Sequence, residues 1–167
     1  MEKIEGQLEI QGAKDSEWPD IWPIFKSVIE AEDTFVFPAN ITKDQAFGHW
    51  FANGVQTYLA RINNVVVGTY ILKENQIGLG SHVANASYMV SENARGVGLG
   101  RALAEHSFME AKNQSFLAMQ FNLVVSSNVK AVKLWKKLGF EVVGTSPKSF
   151  KHSSLGYVDS YIMYKEL

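Results

Sequence analysis

One residue type and several patterns are missing from this sequence, and each absence excludes a class of structure or chemistry. The 167-residue chain has no cysteine, which excludes disulfides, thiolate catalysis and zinc sites built from cysteine. Its formal net charge of −1 gives no overall field to attract nucleic acid or an anionic membrane. No apolar run approaches the roughly 18 residues of a membrane-spanning helix, and residues 1–5 lack a signal-peptide core. We therefore expect one cytoplasmic domain over residues 1–167, without nucleic-acid or membrane partners.

The most informative segment that is present is a glycine-rich turn, Arg95-Gly96-Val97-Gly98-Leu99-Gly100-Arg101. It follows an apolar run and opens a segment with helical spacing. Three alternating glycines let backbone N–H groups converge on a ligand at a helix N-terminus, where the helix dipole favours an anion. The turn therefore predicts a site for a phosphate or pyrophosphate, with an ordinary glycine-rich connection as the alternative.

Two common phosphate-binding fingerprints do not fit this turn. The Rossmann fingerprint requires a third glycine where this chain has Arg101 or Leu103, and no Gly-Lys-Ser/Thr tripeptide occurs. The turn instead resembles the pyrophosphate loop of the GNAT superfamily of N-acetyltransferases, Gln/Arg-x-x-Gly-x-Gly/Ala. Arg95, Gly98 and Gly100 occupy its fixed positions.

A second segment, residues 127–140, resembles the other GNAT signature, Asn-x-x-Ala-x-x-Leu/Phe-Tyr-x-Lys-x-Gly-Phe. The matching residues are Asn128, Ala131, Leu134, Lys137, Gly139 and Phe140. Independently of the resemblance, the segment predicts a helix capped by Ser127 or Asn128, with one apolar face and an end at Gly139. The family often has a tyrosine at the position of Trp135, where it protonates the leaving thiolate. Indole is far too weak an acid for that role, so the general acid stays unassigned.

The periodicities along the chain predict the order β-α-α-β-β-β-α-β-α-β-β. Strands are predicted over residues 7–13, 55–62, 65–73, 82–90, 116–126, 140–145 and 158–165. The first two helices are predicted from residue 15 or 16 to about 32, and from a Thr42–Gln45 capping box to about 53. A helix over residues 102–112 and the helix after residue 127 complete the set. The pattern indicates α/β with a mixed sheet. The GNAT resemblance implies a mostly antiparallel twisted sheet with a central splay, where acetyl-CoA lies between the strands that precede the two late helices.

The resemblance also implies which residues hold acetyl-CoA, the one co-substrate expected. A β-bulge in the strand before the glycine loop would free a backbone N–H, at Met89 or Val90, to polarise the thioester carbonyl. The implied acetyl-CoA contacts are Tyr88, Met89, Val90, Arg95, Gly96, Val97, Gly98, Leu99, Gly100, Arg101, Asn128, Trp135 and Lys137. Four histidines without ligand spacing predict no metal site.

The expected acceptor is a small-molecule amine, acetylated by direct transfer in a ternary complex. Residues 34–38 resemble the acceptor loop of phosphinothricin and methionine-sulfoximine N-acetyltransferases, and residues 121–124 resemble azetidine-2-carboxylate N-acetyltransferases. An acceptor site is therefore expected from residues 33–38, the strand 65–73 and a loop over 146–157, with substrate contacts from Phe35, Phe37, Tyr70 and Asn122. A protein N-terminus or a polyamine as acceptor, a non-catalytic CoA-binding sensor, and assembly as a homodimer stay open.

The catalytic base is not evident, because the two central strands carry no Asp or Glu. A water chain is the preferred interpretation, with Glu92, Glu32 and Asp33 as further candidates. Asn122 interrupts an apolar run and has two interpretations: a satisfied core amide, or a catalytic side chain that faces the cleft and positions the attacking nitrogen. His106 is expected to be a satisfied core histidine.

Overall fold

The computed structural model describes residues 6–167, so the expectation that residues 1–5 lack a signal-peptide core lies outside the described residues. The described chain follows the predicted order of strands and helices: β1 Leu8–Gly12, α1 Trp18–Glu30, α2 Lys43–Trp50, β2 Gln56–Ile62, β3 Val65–Glu74, β4 Val83–Val90, α3 Leu99–Asn113, β5 Ala118–Val125, α4 Val129–Lys137, β6 Glu141–His152 and β7 Gly156–Glu166. Over this part of the chain, no helix is both long and apolar enough to span a bilayer.

The seven strands form one sheet in the order β1-β2-β3-β4-β5-β7-β6. Neighbouring strands are antiparallel except β4 and β5, which are parallel. These two strands pair only at Val83 with Ala118 and at Ala84 with Met119. We call the gap between their later residues, 86–90 and 121–125, the splay. The α/β fold, the mostly antiparallel sheet and the central splay are thereby confirmed.

Two apolar cores cover the two faces of the sheet. One contains Leu103 of α3 and includes Tyr88 at its edge, and the other contains Phe25 of α1 and Met89. Successive side chains of a strand point to opposite faces, so Tyr88 lies on the α3/α4 face and Met89 on the α1/α2 face. This alternation decides which residues beside the splay belong to the α3/α4 face and which belong to the α1/α2 face.

Local sequence signals predicted several turns and caps correctly. Thr42 Oγ1 accepts a hydrogen bond from Gln45 N at 3.2 Å, and Gln45 Oε1 accepts from Thr42 N at 3.0 Å, as a capping box requires. Asn63 and Asn64 have φ values of 51° and 64° in the turn between β2 and β3. Gly139, with φ of 90°, ends α4.

Three helix boundaries differ from the prediction. Asp15–Glu17 form a separate 3₁₀ turn, so α1 begins at Trp18 and has no side-chain cap. The second helix ends at Trp50 instead of residue 53. The third begins at Leu99, three residues early, because the helix incorporates the end of the glycine-rich turn.

The predicted loop over residues 146–157 is wrong, because most of it belongs to the long β6–β7 hairpin. Its serines, lysines and Pro147 have loop character, which hid the strand. Pro147 lies where the pairing with β7 is irregular, between Ser146 and Phe150. β6 is also an edge strand, and proline is tolerated in strands at edges and bulges.

Candidate active site

The glycine-rich turn forms an open cradle at the N-terminus of α3. Gly96 and Gly98 have φ values of 82° and 87°, a left-handed conformation that favours glycine. A Cβ added at either would meet no heavy atom within 4 Å, so the space beside the turn is free. Gly98 is the N-cap of α3 and makes no side-chain cap, which leaves the first N–H groups of the helix to a ligand or to water.

The side chains around this cradle add positive charge at its margins. Arg95 is exposed, and the exposed Arg101 donates to Glu105 at 2.8 Å. Leu99 is 3% exposed and belongs to the core, so only its backbone can face a ligand. Gly100 lies next to α4, because a Cβ there would stand 3.7 Å from Leu134 Cδ2. Free N–H groups at the start of a helix, with two arginines at the edge of the cradle, are suited to bind a pyrophosphate.

The backbone of β4 presents free groups to the splay without the expected bulge. The register between β3 and β4 runs from Gly68 with Val90 to Glu74 with Ala84 without a shift, so the β-bulge prediction is wrong. Ser91 N donates to Val67 O of β3, whereas His82 O accepts from Leu117 N on the β5 side. Backbone groups alternate in direction along a strand.

This alternation distinguishes the two residues proposed as donors to a carbonyl. It turns the backbone groups of Met89 toward Thr69 of β3, where they are paired. The backbone groups of Tyr88 and Val90 point toward the splay, and β5 no longer pairs with them. Val90 therefore suits the role, and Met89 does not.

Aromatic side chains close the splay on the α3/α4 face. The Trp135 ring is 8% exposed, and its centroid lies 5.1 Å from that of Tyr88 and 4.8 Å from that of Phe121. The Tyr88 hydroxyl shares a 2.7 Å hydrogen bond with Ser107 Oγ, and burial raises the pKa of Tyr88. The hydroxyl is thus engaged inside the α3/α4 core, by Ser107 Oγ and by Met119 Sδ at 3.5 Å.

The start of α4 adds polar groups just after the end of β5. Asn128 Oδ1 accepts from Ala131 N at 3.2 Å, which confirms the helix cap. Ser127 Oγ is buried and has no hydrogen-bond partner within residues 6–167. The sequence suggested Ser127 only as a cap, and an orphaned hydroxyl at the mouth of the splay suits a bound ligand. Lys137 is exposed in the last turn of α4.

Asn122 lies on the α1/α2 face, in the stretch of β5 beyond its pairing with β4. The register between β5 and β7 is irregular between Phe121 and Val124, and the Asn122 side chain is exposed. Asn122 Oδ1 accepts from Gln120 Nε2 at 2.9 Å, and Asn122 Nδ2 donates to Asn75 Oδ1 at 2.8 Å. The core-amide interpretation is therefore wrong. No local sequence signal pointed to Asn75, which lies 47 positions away.

Two of the three segments expected to form the acceptor site, the loop after α1 and the β6–β7 hairpin, meet at the end of α1. Phe35 and Phe37 are half-buried, and their stacked rings lie 6.3 Å apart. The Phe37 ring is 5.5 Å from Phe25 of the core. Ser153, at the tip of the β6–β7 hairpin, donates its N–H to Glu32 O at 3.2 Å, so the hairpin contacts the end of α1. The loop after α1 and the hairpin are thus held together.

The structure contradicts the prediction that Tyr70 contacts the acceptor. Tyr70 is completely buried in the core of the α3/α4 face, and its hydroxyl shares a 2.7 Å hydrogen bond with His106 Nδ1. Alternation along β3 explains the error, since the α1/α2 face of that strand carries Ile71 instead. His106 is a satisfied histidine, as expected, and burial lowers its pKa.

None of the three carboxylates considered as the catalytic base is buried. Glu32 is exposed at the end of α1, and Asp33 is half-buried beside it. Glu92 lines a cavity of about 510 Å³ between α1 and the turn before the glycine loop. Among residues 6–167, no group of three or more histidine, aspartate or glutamate side chains is placed to hold a metal ion.

Comparisons with known proteins agree with this geometry. The sequence model of the Acetyltransferase (GNAT) family matches residues 18–140. A GCN5-related N-acetyltransferase from Kribbella flavida shares 39% identity and superposes with a TM-score of 0.91, covering 96% of this chain and 98% of the other. A phosphinothricin acetyltransferase from Sinorhizobium meliloti, solved with acetyl-CoA, has a TM-score of 0.84 over 96% of this chain and 88% of its own, but its 18% identity shows the fold alone.

Two curated relatives match in sequence. N-acetyltransferase aca1 of Schizosaccharomyces pombe is 35% identical over 98 residues, which are 58% of this chain and 47% of that protein, so the match spans about half of its length. L-amino acid N-acetyltransferase AaaT of Escherichia coli is 30% identical over 110 residues, which are 66% and 67% of the two chains. This chain belongs to the GNAT family of acetyltransferases, whose acetyl donor is acetyl-CoA.

Proposed function

We propose that the protein is an N-acetyltransferase that moves the acetyl group of acetyl-CoA to the primary or secondary amine of an amino-acid-like small molecule. The observation that carries this proposal is the position of Asn122. It is an exposed carboxamide on the acceptor face, in the stretch of β5 that has separated from β4. The open cradle of residues 95–101 lies where β4 leads into α3.

The donor site is proposed to combine backbone and side-chain contacts. The N–H groups of the glycine loop would bind the pyrophosphate, each hydrogen bond to a charged oxygen contributing about 1.5–3 kcal/mol. Ser127 and Asn128 would contact the pantetheine arm, and the indole of Trp135 would pack beside it. Further contacts with acetyl-CoA are proposed for Tyr88, Val90, Arg95, Arg101 and Lys137.

The acceptor site is proposed to lie between the Phe35–Phe37 loop, the β6–β7 hairpin and Asn122. Two observations support an amino-acid-like acceptor. One curated relative is named an L-amino acid N-acetyltransferase. A polyamine would need several carboxylates, and the acceptor segments hold few; one of them, Asp159, already accepts from Lys148 N at 2.9 Å.

The reaction proposed is a direct transfer. The amine loses a proton to water, its nitrogen bonds to the acetyl carbon, and the carbon–sulfur bond breaks as the thiolate leaves and takes up a proton. The Val90 N–H is the proposed donor to the carbonyl oxygen on which charge develops. Asn122 is the proposed catalytic side chain that orients the attacking nitrogen.

The test measures thiol release from acetyl-CoA over a panel of L-azetidine-2-carboxylate, phosphinothricin, methionine sulfoximine, spermidine and a peptide N-terminus. Asn122→Ala should lower kcat/KM for the best amine by about tenfold to a hundredfold, the effect of one or two lost hydrogen bonds. CoA affinity and melting temperature should hardly change, because Asn122 is exposed. Asn113→Ala, the same change at an exposed site at the end of α3, is the control.

The outcomes separate the alternatives. Transfer to spermidine or to the peptide alone would overturn the amino-acid-like acceptor. No thiol release with any amine, despite CoA binding, would support the non-catalytic sensor. Full activity of Asn122→Ala would remove Asn122 from the mechanism.

A further inference from the structure

We infer that Asn75 and Gln120 are positioning residues that set which end of the Asn122 carboxamide faces the acceptor. This inference rests on the proposed function, because it concerns how Asn122 does its work. The three side chains form a continuous chain of hydrogen bonds. Gln120 Nε2 donates to Asn122 Oδ1 at 2.9 Å, and Asn122 Nδ2 donates to Asn75 Oδ1 at 2.8 Å.

The two neighbours are themselves held by backbone contacts of three adjacent strands. Asn75 N donates to Val83 O of β4 at 2.8 Å, which fixes the residue immediately after β3. The buried Asn85 of β4 donates its Nδ2 to Gln120 O at 2.8 Å, the last link between β4 and β5 before the splay. The backbones of both partners are therefore fixed on either side of the exposed Asn122 carboxamide.

The orientation matters because a carboxamide has a donor end and an acceptor end of nearly equal shape. In the observed arrangement one Asn122 N–H and part of the Oδ1 accepting capacity are used, which leaves one N–H and one oxygen lone pair for a substrate. An attacking amine offers an N–H, so it needs the oxygen. A reversed carboxamide would put an N–H where the amine needs an acceptor.

Two isosteric substitutions push this orientation in opposite directions. Asn75→Asp supplies only acceptors, so it keeps Asn122 Nδ2 turned toward residue 75. Gln120→Glu also supplies only acceptors, so it favours the reversed carboxamide, with Nδ2 turned toward residue 120. Each variant adds one negative charge next to Asn122, which makes each the charge control of the other.

The experiment compares both variants and Asn122→Ala with the native chain, using whichever of L-azetidine-2-carboxylate, phosphinothricin or methionine sulfoximine it acetylates. The kcat/KM for the amine should be at least tenfold lower in Gln120→Glu than in Asn75→Asp. The KM for acetyl-CoA and the melting temperature should be unchanged in both.

Each result bears on one of the two proposals. Equal losses in the two variants would show an effect of charge and overturn the orientation argument. Native activity in both would overturn it as well, even if Asn122→Ala loses activity and the proposed function stands. Native activity of Asn122→Ala would remove Asn122 from the mechanism and overturn this inference. No turnover of any of the three amines would overturn the proposed function and this inference with it.

Discussion

Replacing Gly98 tests whether the glycine loop binds the pyrophosphate of acetyl-CoA. Gly98→Val places a branched side chain at the N-cap of α3, beside the N–H groups proposed as anion ligands. No neighbouring atom of the protein would clash with the new side chain, since an added Cβ meets no heavy atom within 4 Å. A loss of CoA affinity would therefore come from contact between the new side chain and the bound CoA.

The substitution also has a cost in stability, which requires a control. Gly98 has φ of 87°, and an L-residue in the left-handed region costs about 1–2 kcal/mol. Gly54, in the loop after α2, has φ of 79° and equally open surroundings. Gly54→Val should therefore lower the melting temperature about as much as Gly98→Val, by about 2–8 °C for a domain of this size.

The two variants should differ only in binding. Loss of one hydrogen bond to a charged phosphate oxygen corresponds to about 1.5–3 kcal/mol, or at least about a tenfold rise in the Kd for CoA. Gly100→Ala should bind normally, because its Cβ would stand 3.7 Å from Leu134 Cδ2, an ordinary contact, within a helix that favours alanine. Titration calorimetry with CoA measures all three, and native affinity in a folded Gly98→Val would refute the assignment.

Two further predictions concern buried groups. Trp135→Phe should raise the KM for acetyl-CoA, whereas Trp135→Tyr should keep or increase kcat by restoring the family's usual hydroxyl; a tyrosine variant that folds and binds CoA but is inactive would contradict this. Burial lowers the pKa of His106 below its ordinary value of 6.5. Just below that pH, the imidazole therefore binds a proton more readily in the unfolded chain than in the folded chain. The melting temperature should therefore fall as the pH drops below about 6.5, and the fall should be smaller in His106→Gln; equal pH dependence in both would rule this out.

The features that the sequence predicted well are those encoded by neighbouring residues. The capping box at Thr42, the turn at Asn63 and Asn64, and the cap of α4 at Asn128 each depend on contacts within four positions. The glycine loop is of the same kind, because consecutive residues supply both its backbone conformation and its N–H groups. Such features need no knowledge of the rest of the fold.

The errors arose where distant segments decide the outcome. Periodicity indicates that β3 has two faces but does not tell which one meets α3, so Tyr70 was placed on the wrong side. The polar residues of β6 look like a loop, and only pairing with β7 keeps them extended. The backbone groups of Tyr88 and Val90 are unpaired because β5 stops pairing with β4 after Met119, and not because β4 contains a bulge.

The same distinction explains why this sequence predicts a binding site for the acetyl donor more readily than one for the acceptor. The donor cradle comes from one short run of chain, and its chemistry is that of the peptide backbone. The proposed acceptor surface combines the loop after α1, the β6–β7 hairpin and Asn122, whose carboxamide donates to Asn75 in the connection between β3 and β4. These segments lie dozens of residues apart in the chain, so the proposed surface could be recognised only once the sheet had brought them together.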